Sequence, residues 1–65
     1  MDRYEMELLV RPQEGPEGEG VVRHSTTAPS ELMARRNAIY VAQFNGCWVS
    51  RFLAVRRVPQ AGATE

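Results

Sequence analysis

The chain has 65 residues, no net charge at pH 7 and one residue each of Cys and His. It is therefore a single small domain that neither an intramolecular disulfide nor a four-ligand zinc site can stabilise. No apolar run approaches the roughly 20 residues that span a bilayer, and the first residues lack the basic start and long apolar stretch of a secretory signal. We expect a cytoplasmic protein with no membrane partner.

The first half of the domain has the pattern of two strands. From Tyr4 to Val10 apolar residues alternate with Glu5 and Glu7, with Leu9 as the exception, which is the pattern of a strand with one buried face. Pro12 ends the pattern because it has no N–H group to donate. The stretch 12–20 contains no large apolar residue, which predicts a mobile loop. Residues 20–27 are rich in Val and Thr and predict a second strand. The two strands suggest an antiparallel hairpin.

A helix is predicted next, from Glu31 to Asn45. Ser30 can cap its first turn, and Glu31 favours the positive end of the helix dipole, although Thr27 is an alternative cap. Gly46 can end the helix because it tolerates the left-handed conformation. At 100° per residue, the side predicted to face the sheet holds Ala34, Ala38, Val41 and Ala42, flanked by Met33, Tyr40 and Phe44.

Residues 47–58 are rich in β-branched and aromatic residues and predict the last strand, which Pro59 ends. Two registers are open: one buries Val49, Leu53 and Val55 with Arg51, and the other buries Trp48, Phe52, Ala54 and Val58. A strand that is apolar on both faces indicates a central position or a bulge that changes register. A competing interpretation pairs 38–44 with 47–55 as a hairpin around Asn45-Gly46.

The predicted fold class is α+β, a small ββαβ domain with a three-stranded antiparallel sheet and one helix packed on one face. The domain should span residues 1–59, and residues 60–65 should form a disordered tail because nothing in them can be buried. The predicted core includes Leu8, Ala38, Val41 and Leu53.

Charge is divided along the chain. Residues 1–20 hold six acids against two arginines, and residues 21–58 hold six arginines against one glutamate. This division indicates either an anion-binding face or neutralisation between adjacent strands, which is the more ordinary use of surface charge.

No catalytic, metal-binding or cofactor-binding site is predicted, and we expect a protein that is not an enzyme. His24 and Cys47 lack the further groups that a Cys/His nucleophile or a zinc site needs. Residues 15–18 match the GXXG loop by which KH domains clamp a nucleic-acid backbone. They lie between strands and among glutamates, so we interpret them as a flexible turn.

The predicted partner-binding surface combines arginines with aliphatic residues on the helix side turned away from the sheet. Arginine suits bidentate contact with carboxylates and phosphates, and large aliphatics bracketed by arginines are unusual on a purely solvated face. The predicted residues are Leu32, Arg35, Arg36, Ile39, Gln43, Arg51, Arg56 and Arg57.

The order of strand, Gly/Glu-rich loop, strand, Ser-capped helix (SELMARR) and a strand ending AVRRV resembles small ββαβ proteins of bacteriophages and other mobile elements, among them some anti-CRISPR proteins. The resemblance covers about residues 4–58 and is one of pattern and size. It implies a stoichiometric inhibitor or adaptor that binds a host protein or complex in the host cytoplasm, for example a CRISPR-type nucleic-acid-processing complex. It assigns no functional residue.

Two other functions stay open. The arginines could serve a nucleic-acid-binding or transcription-regulatory module, although the zero net charge argues against this. The protein could also be a structural homodimer in which the helix side with Leu32 and Ile39 pairs across a two-fold axis.

Overall fold

The computed structural model of the chain describes residues 1–15 and 18–59. In it, β1 (Asp2–Pro12) pairs antiparallel with both β2 (Gly20–Ala28) and β3 (Cys47–Val58), so the strand order is β2-β1-β3. The helix α1 (Glu31–Phe44) joins β2 to β3. This confirms the predicted α+β architecture and the hairpin of the first two strands. The competing hairpin interpretation of residues 38–55 is wrong, because residues 31–44 are helical.

β1 divides the sheet into two faces. Its alternate residues Tyr4, Met6, Leu8 and Val10 are buried beneath α1, as the period-two pattern predicts. The intervening residues point to the opposite face, which no described element covers and which we call the open face. Because directly paired residues point to the same side of a sheet, the register gives the membership of this face. It comprises Arg3, Glu5, Glu7, Leu9 and Arg11 of β1, Val21, Arg23, Ser25 and Thr27 of β2, and Trp48, Arg51, Ala54, Arg56 and Val58 of β3.

The helix has the predicted ends. The Oγ atom of Ser30 accepts a hydrogen bond from the backbone N–H of Met33 at 3.3 Å, which satisfies one of the donors that a helix start leaves without a partner. Asn45 is the C-terminal cap, and Gly46 follows with φ of 79°, a conformation that favours glycine. Thr27, the alternative cap, lies within β2.

Three alanines at intervals of four residues make the contact between α1 and the sheet. Ala34, Ala38 and Ala42 are buried as predicted, whereas Val41 is 42% exposed, so its assignment to the core is wrong. The physical reason is that only a narrow strip of the helix surface contacts the sheet. Methyl groups bring the helix close to the middle strand, and Val41, which lies off this ridge, borders the open cleft between α1 and β2.

β3 follows neither predicted register throughout, because its pairing with β1 shifts twice. The shifts lie between Glu7 and Leu8 and between Leu9 and Val10, and they leave Leu53 and Ser50 of β3 without pairing partners. As a result, the half-buried residues Val49, Phe52 and Val55 follow one another at intervals of three. The predicted bulge is therefore confirmed, while a central position for β3 and a buried Leu53, which is 40% exposed, are wrong.

The connection after β1 is anchored at its start. The backbone N–H of Gln13 donates to the carbonyl oxygen of Gly46 at 2.9 Å, and the Nε2 atom of Gln13 donates to the carbonyl oxygens of Gln43 and Cys47, both at 3.4 Å. These bonds join the end of β1 to the turn between α1 and β3. Residues 16, 17 and 60–65 lie outside the described residues, so the mobility expected of the loop and the tail stays a prediction.

Two matched substitutions test these assignments. Leu8→Ala should lower the free energy of unfolding by about 2–5 kcal/mol, since Leu8 is 2% exposed and its loss leaves a cavity. Leu53→Ala removes the same atoms from a bulge and should cost about 1 kcal/mol or less. Urea unfolding followed by circular dichroism measures both, and equal losses would contradict the assignment of Leu53 to the bulge.

Candidate functional site

Ion pairs cross the strands at one end of the open face. The carboxylate of Glu5 lies between two guanidinium groups, accepting a hydrogen bond from Nη2 of Arg56 and one from Nη2 of Arg3, the latter at 3.3 Å. Arg3 also donates through Nε to the hydroxyl of Ser25 at 3.1 Å. One residue pair further along, Nε of Arg23 lies 3.3 Å from Oε2 of Glu7. Neutralisation between adjacent strands is therefore present here.

These contacts change the acidity of Glu5. The hydrogen bond from Arg56 and the positive charges of Arg56, Arg3 and Arg23 hold the pKa of the Glu5 carboxyl below its ordinary value, and partial desolvation opposes them. The carboxylate is exposed enough that salt and water screen these pairs, so they contribute more to the order of the face than to the stability of the fold.

The same end of the open face forms an open concavity of about 550 Å³ that reaches across all three strands. Its wall includes Glu5, Glu7, Arg23, Ser25, Ala54 and Arg56. The charged groups in it already have partners within the chain. An incoming ligand would have to compete with those ion pairs.

The other end of the open face is different. Arg11 pairs directly with Trp48, and Arg51 pairs with Leu9. Among residues 1–15 and 18–59, neither Arg11 nor Arg51 has an acidic side chain within ion-pairing distance, and Trp48 is 44% exposed. We call these three side chains the Arg11–Trp48–Arg51 patch. It offers guanidinium groups that can bind carboxylate or phosphate oxygens beside an aromatic ring.

The open face as a whole carries more positive than negative charge. Its arginines are Arg3, Arg11, Arg23, Arg51 and Arg56, and its acids are Glu5 and Glu7. Both interpretations of the divided charge therefore apply to one face, with neutralised pairs at one end and arginines available to an anion at the other.

The predicted partner-binding residues do not form one surface. Arg51 and Arg56 lie on the open face, whereas Leu32, Arg35, Arg36, Ile39 and Gln43 belong to the helix on the opposite face. Arg57 pairs with Tyr4, and its Nη1 atom lies 3.2 Å from Oδ2 of Asp2.

Several of these arginines also have partners within the chain. Arg35 donates to Oε2 of Glu31 at 2.7 and 2.9 Å, and its guanidinium group lies 4.9 Å from the centre of the Phe52 ring. Arg56 and Arg57 bind Glu5 and Asp2. Only Arg36 and Arg51 of the predicted arginines have no ion pair with a described acid.

The predicted partner-binding residues include neither Arg11 of β1 nor Trp48 of β3. The position of Arg11 on the open face could have been predicted, because the alternation that buries Leu8 and Val10 also places Arg11 on the opposite face. Its position beside Trp48 was not detectable, because that pairing depends on the two register shifts in β3.

A second uncovered surface lies along the helix on the β2 side. It holds Met33, Val41 and Phe44 of α1 and Val22 of β2, which are 39%, 42%, 91% and 43% exposed. We call it the β2-side flank. The Nδ2 atom of Asn37 donates to Oγ1 of Thr26 at 3.4 Å, so this side of the helix lies next to β2.

A cleft of about 170 Å³ opens between α1 and β2. His24 and Cys47 both line it, but no hydrogen bond joins them. The Nε2 atom of His24 is buried and has no hydrogen-bond partner in the part of the chain that the structure describes. The thiol of Cys47 contacts the carbonyl oxygen of Asn45 at 3.9 Å.

Within the described ranges, no three His, Cys, Asp or Glu side chains are grouped so that they could hold a metal ion. No described helix is long and apolar enough to cross a membrane. Comparisons of the chain with protein-family models, curated proteins and solved structures found no match.

The pKa of Glu5 gives a direct test of the ion pairs. Arg56→Gln removes the principal donor to the carboxylate, so it should raise the pKa of Glu5 in the folded protein toward the ordinary value. Since the native pKa is lowered, the stability that the pairs contribute is present above the ordinary pKa and is lost as the pH falls through the lowered one. Carboxyl NMR titration measures the shift, with Arg36→Gln as the control that should leave it unchanged.

Proposed function

We propose that the chain is a small non-catalytic binding protein that acts by contact with another protein, and that the Arg11–Trp48–Arg51 patch meets an acidic surface of this partner. The observation that carries the proposal is the pair of arginines without acidic partners among the described residues, next to an exposed tryptophan. Arginine and tryptophan are the residues most enriched at the energetic centres of protein interfaces.

The charge around the patch favours a protein over a nucleic acid. The connection between β1 and β2 emerges at this end of the sheet, and it carries Glu14 and Glu19. A phosphate backbone, which presents a negative charge at each step, would be repelled by these carboxylates. A protein surface can instead place a few acidic residues opposite the arginines and leave the glutamates in water.

The narrower role, inhibition of a host nucleic-acid-processing complex by a phage-type protein, rests only on the resemblance of pattern and size. A protein of this kind would act by occupying a surface of its target. Inhibition would therefore need one copy for each target site and no turnover.

Nucleic-acid binding is the second candidate, favoured by the excess of arginines over glutamates on the open face. A short antiparallel ribbon can enter the major groove of DNA. Binding that neutralises several phosphates should weaken steeply with salt, whereas an interface centred on Trp48 should not.

Two measurements separate these functions. Fluorescence anisotropy with labelled DNA and RNA duplexes at low salt should show no tight binding to the wild-type chain. Affinity capture from host lysate followed by mass spectrometry should recover a protein that Arg51→Gln and Trp48→Ala fail to retain. Arg36→Gln removes an arginine that also lacks a described ion-pair partner but lies on the helix, so it should retain the same protein.

The affinity of the recovered partner, measured by calorimetry, should fall about tenfold or more with Arg51→Gln, equivalent to about 1.4 kcal/mol. Salt-sensitive duplex binding that Arg51→Gln abolishes would favour the second candidate. Equal losses with Arg36→Gln and Arg51→Gln would contradict the patch as the site of contact.

A further inference from the structure

We infer that the protein has a second interaction surface, the outer edge of β2 with the β2-side flank above it, and that this surface binds a second copy of the chain. The copies would pair their β2 strands antiparallel across a two-fold axis and form one six-stranded sheet with both helices on the same side. This inference does not depend on the proposed function, because it uses the other face of the sheet and a different edge.

The outer edge of β2 lacks the features by which edge strands avoid pairing. Such strands are normally short, bulged, interrupted by proline or rich in charge. β2 has nine residues in an unshifted register with β1, and its sequence GVVRHSTTA is mostly β-branched or small, with one arginine. β3, the other edge, has two register shifts and three arginines. The two edges therefore differ in how well they are protected against pairing with another strand, and the edge of β2 is the less protected one.

The flank above β2 is too apolar for a surface that remains in water. Phe44 is 91% exposed, and Met33, Val41 and Val22 are 39%, 42% and 43% exposed. Aromatic side chains bury about 150–250 Å² each, so Phe44 alone leaves roughly 200 Å² of apolar surface uncovered. A stable interface buries about 800 Å² per partner, so the interface must include the strand edge as well as the flank.

The arrangement of strand and helix is self-complementary, which is why a second copy fits. Asn37 lies over Thr26, and Val41 lines the same cleft as Val22 and His24. The helix therefore runs antiparallel to β2, and Val41, toward the C-terminal end of the flank, lies beside His24. A two-fold axis through His24 consequently brings both strand edges into register and places Val41 of the two copies on either side of the axis.

That register is compatible with the charges. With His24 on the axis, Arg23 lies opposite Ser25 of the second copy, and Val22 lies opposite Thr26 of the second copy. No like charges oppose one another, and Arg23 keeps Glu7 of its own chain as a partner.

The spacing also suits large side chains. Each helix lies over its β1, one and a half strand spacings from the axis, so the two helix axes would be about 14 Å apart. Helices in direct contact pack at about 8–10 Å. The additional width forms a groove above the paired β2 strands, and the side chains of the two flanks are placed to fill it.

Sedimentation velocity of the full chain from low to high micromolar concentration tests the dimer. The wild type should pass from monomer to dimer, and Phe44→Arg, at a residue that is 91% exposed on the β2 side, should weaken the association about tenfold or more. Leu32→Arg makes the same kind of change at a residue that is 67% exposed on the other side of the helix, and it should leave the association unchanged. Circular dichroism checks that each variant is folded. If Phe44→Arg unfolds, Val22→Lys at the strand edge replaces it with the same expectation.

Amide hydrogen exchange locates the interface. Alternate N–H groups of β2, those that do not bond to β1, should become protected only at concentrations where the dimer forms. A wild type that stays monomeric would overturn the inference. So would a dimer that protects β3, or one that Leu32→Arg dissociates while Phe44→Arg and Val22→Lys do not. Because Arg51→Gln lies outside this surface, a failure of the proposed partner site would leave the dimer intact, and the two results are distinguishable.

Discussion

The contact between the alanines of α1 and the inner face of β1 is the interaction on which the rest of the structure depends. Ala34 and Ala38 pack on the cluster formed by Tyr4, Met6 and Leu8, and no large side chain of the helix is buried. The large side chains of the core therefore come from the sheet, and the helix contributes a close-fitting cover of methyl groups. Only the alanine ridge of the helix meets the sheet, so Phe44, which lies off this ridge at the end of the helix, is 91% exposed.

The small number of elements also determines which face of the sheet is exposed. With one helix and three strands, only one face of the sheet can be covered, and the alternation of β1 assigns opposite chemistry to the two faces. Apolar residues are directed under the helix, while Arg3, Glu5 and Arg11 are directed into water. The charges at one end are balanced by partners on neighbouring strands. Those at the other end are not, because Arg11 pairs with Trp48 and Arg51 with Leu9.

Local sequence signals were sufficient to predict the helix and the strands, but they were insufficient to predict which residues share a surface. The cap at Ser30, the glycine after Asn45 and the alternation of β1 each depend on neighbouring residues, and each is confirmed by the structure. The errors at Val41 and Leu53 arise from distant effects: the width of the sheet under the helix, and the two bulges that β3 adopts to follow β1. The predicted partner-binding residues lie on two different faces of the domain for the same reason. Which face a residue occupies depends on pairing between segments that are far apart in the chain.

The Arg11–Trp48–Arg51 patch carries positive charge, whereas the β2-side flank is apolar, and the two lie on opposite faces of the sheet. Both surfaces could therefore be in contact with partners at the same time. Pairing through β2 would leave the open faces of both copies on one side of a continuous sheet. Each Arg11–Trp48–Arg51 patch would remain accessible, because Trp48 and Arg51 belong to β3, which is separated from the paired edge by β1. A dimer would thereby present two copies of the patch in fixed relative orientation, and a partner with two acidic sites at matching separation would be bound more tightly than by either patch alone. Self-association would then add avidity to the binding function without altering any residue that contacts the partner.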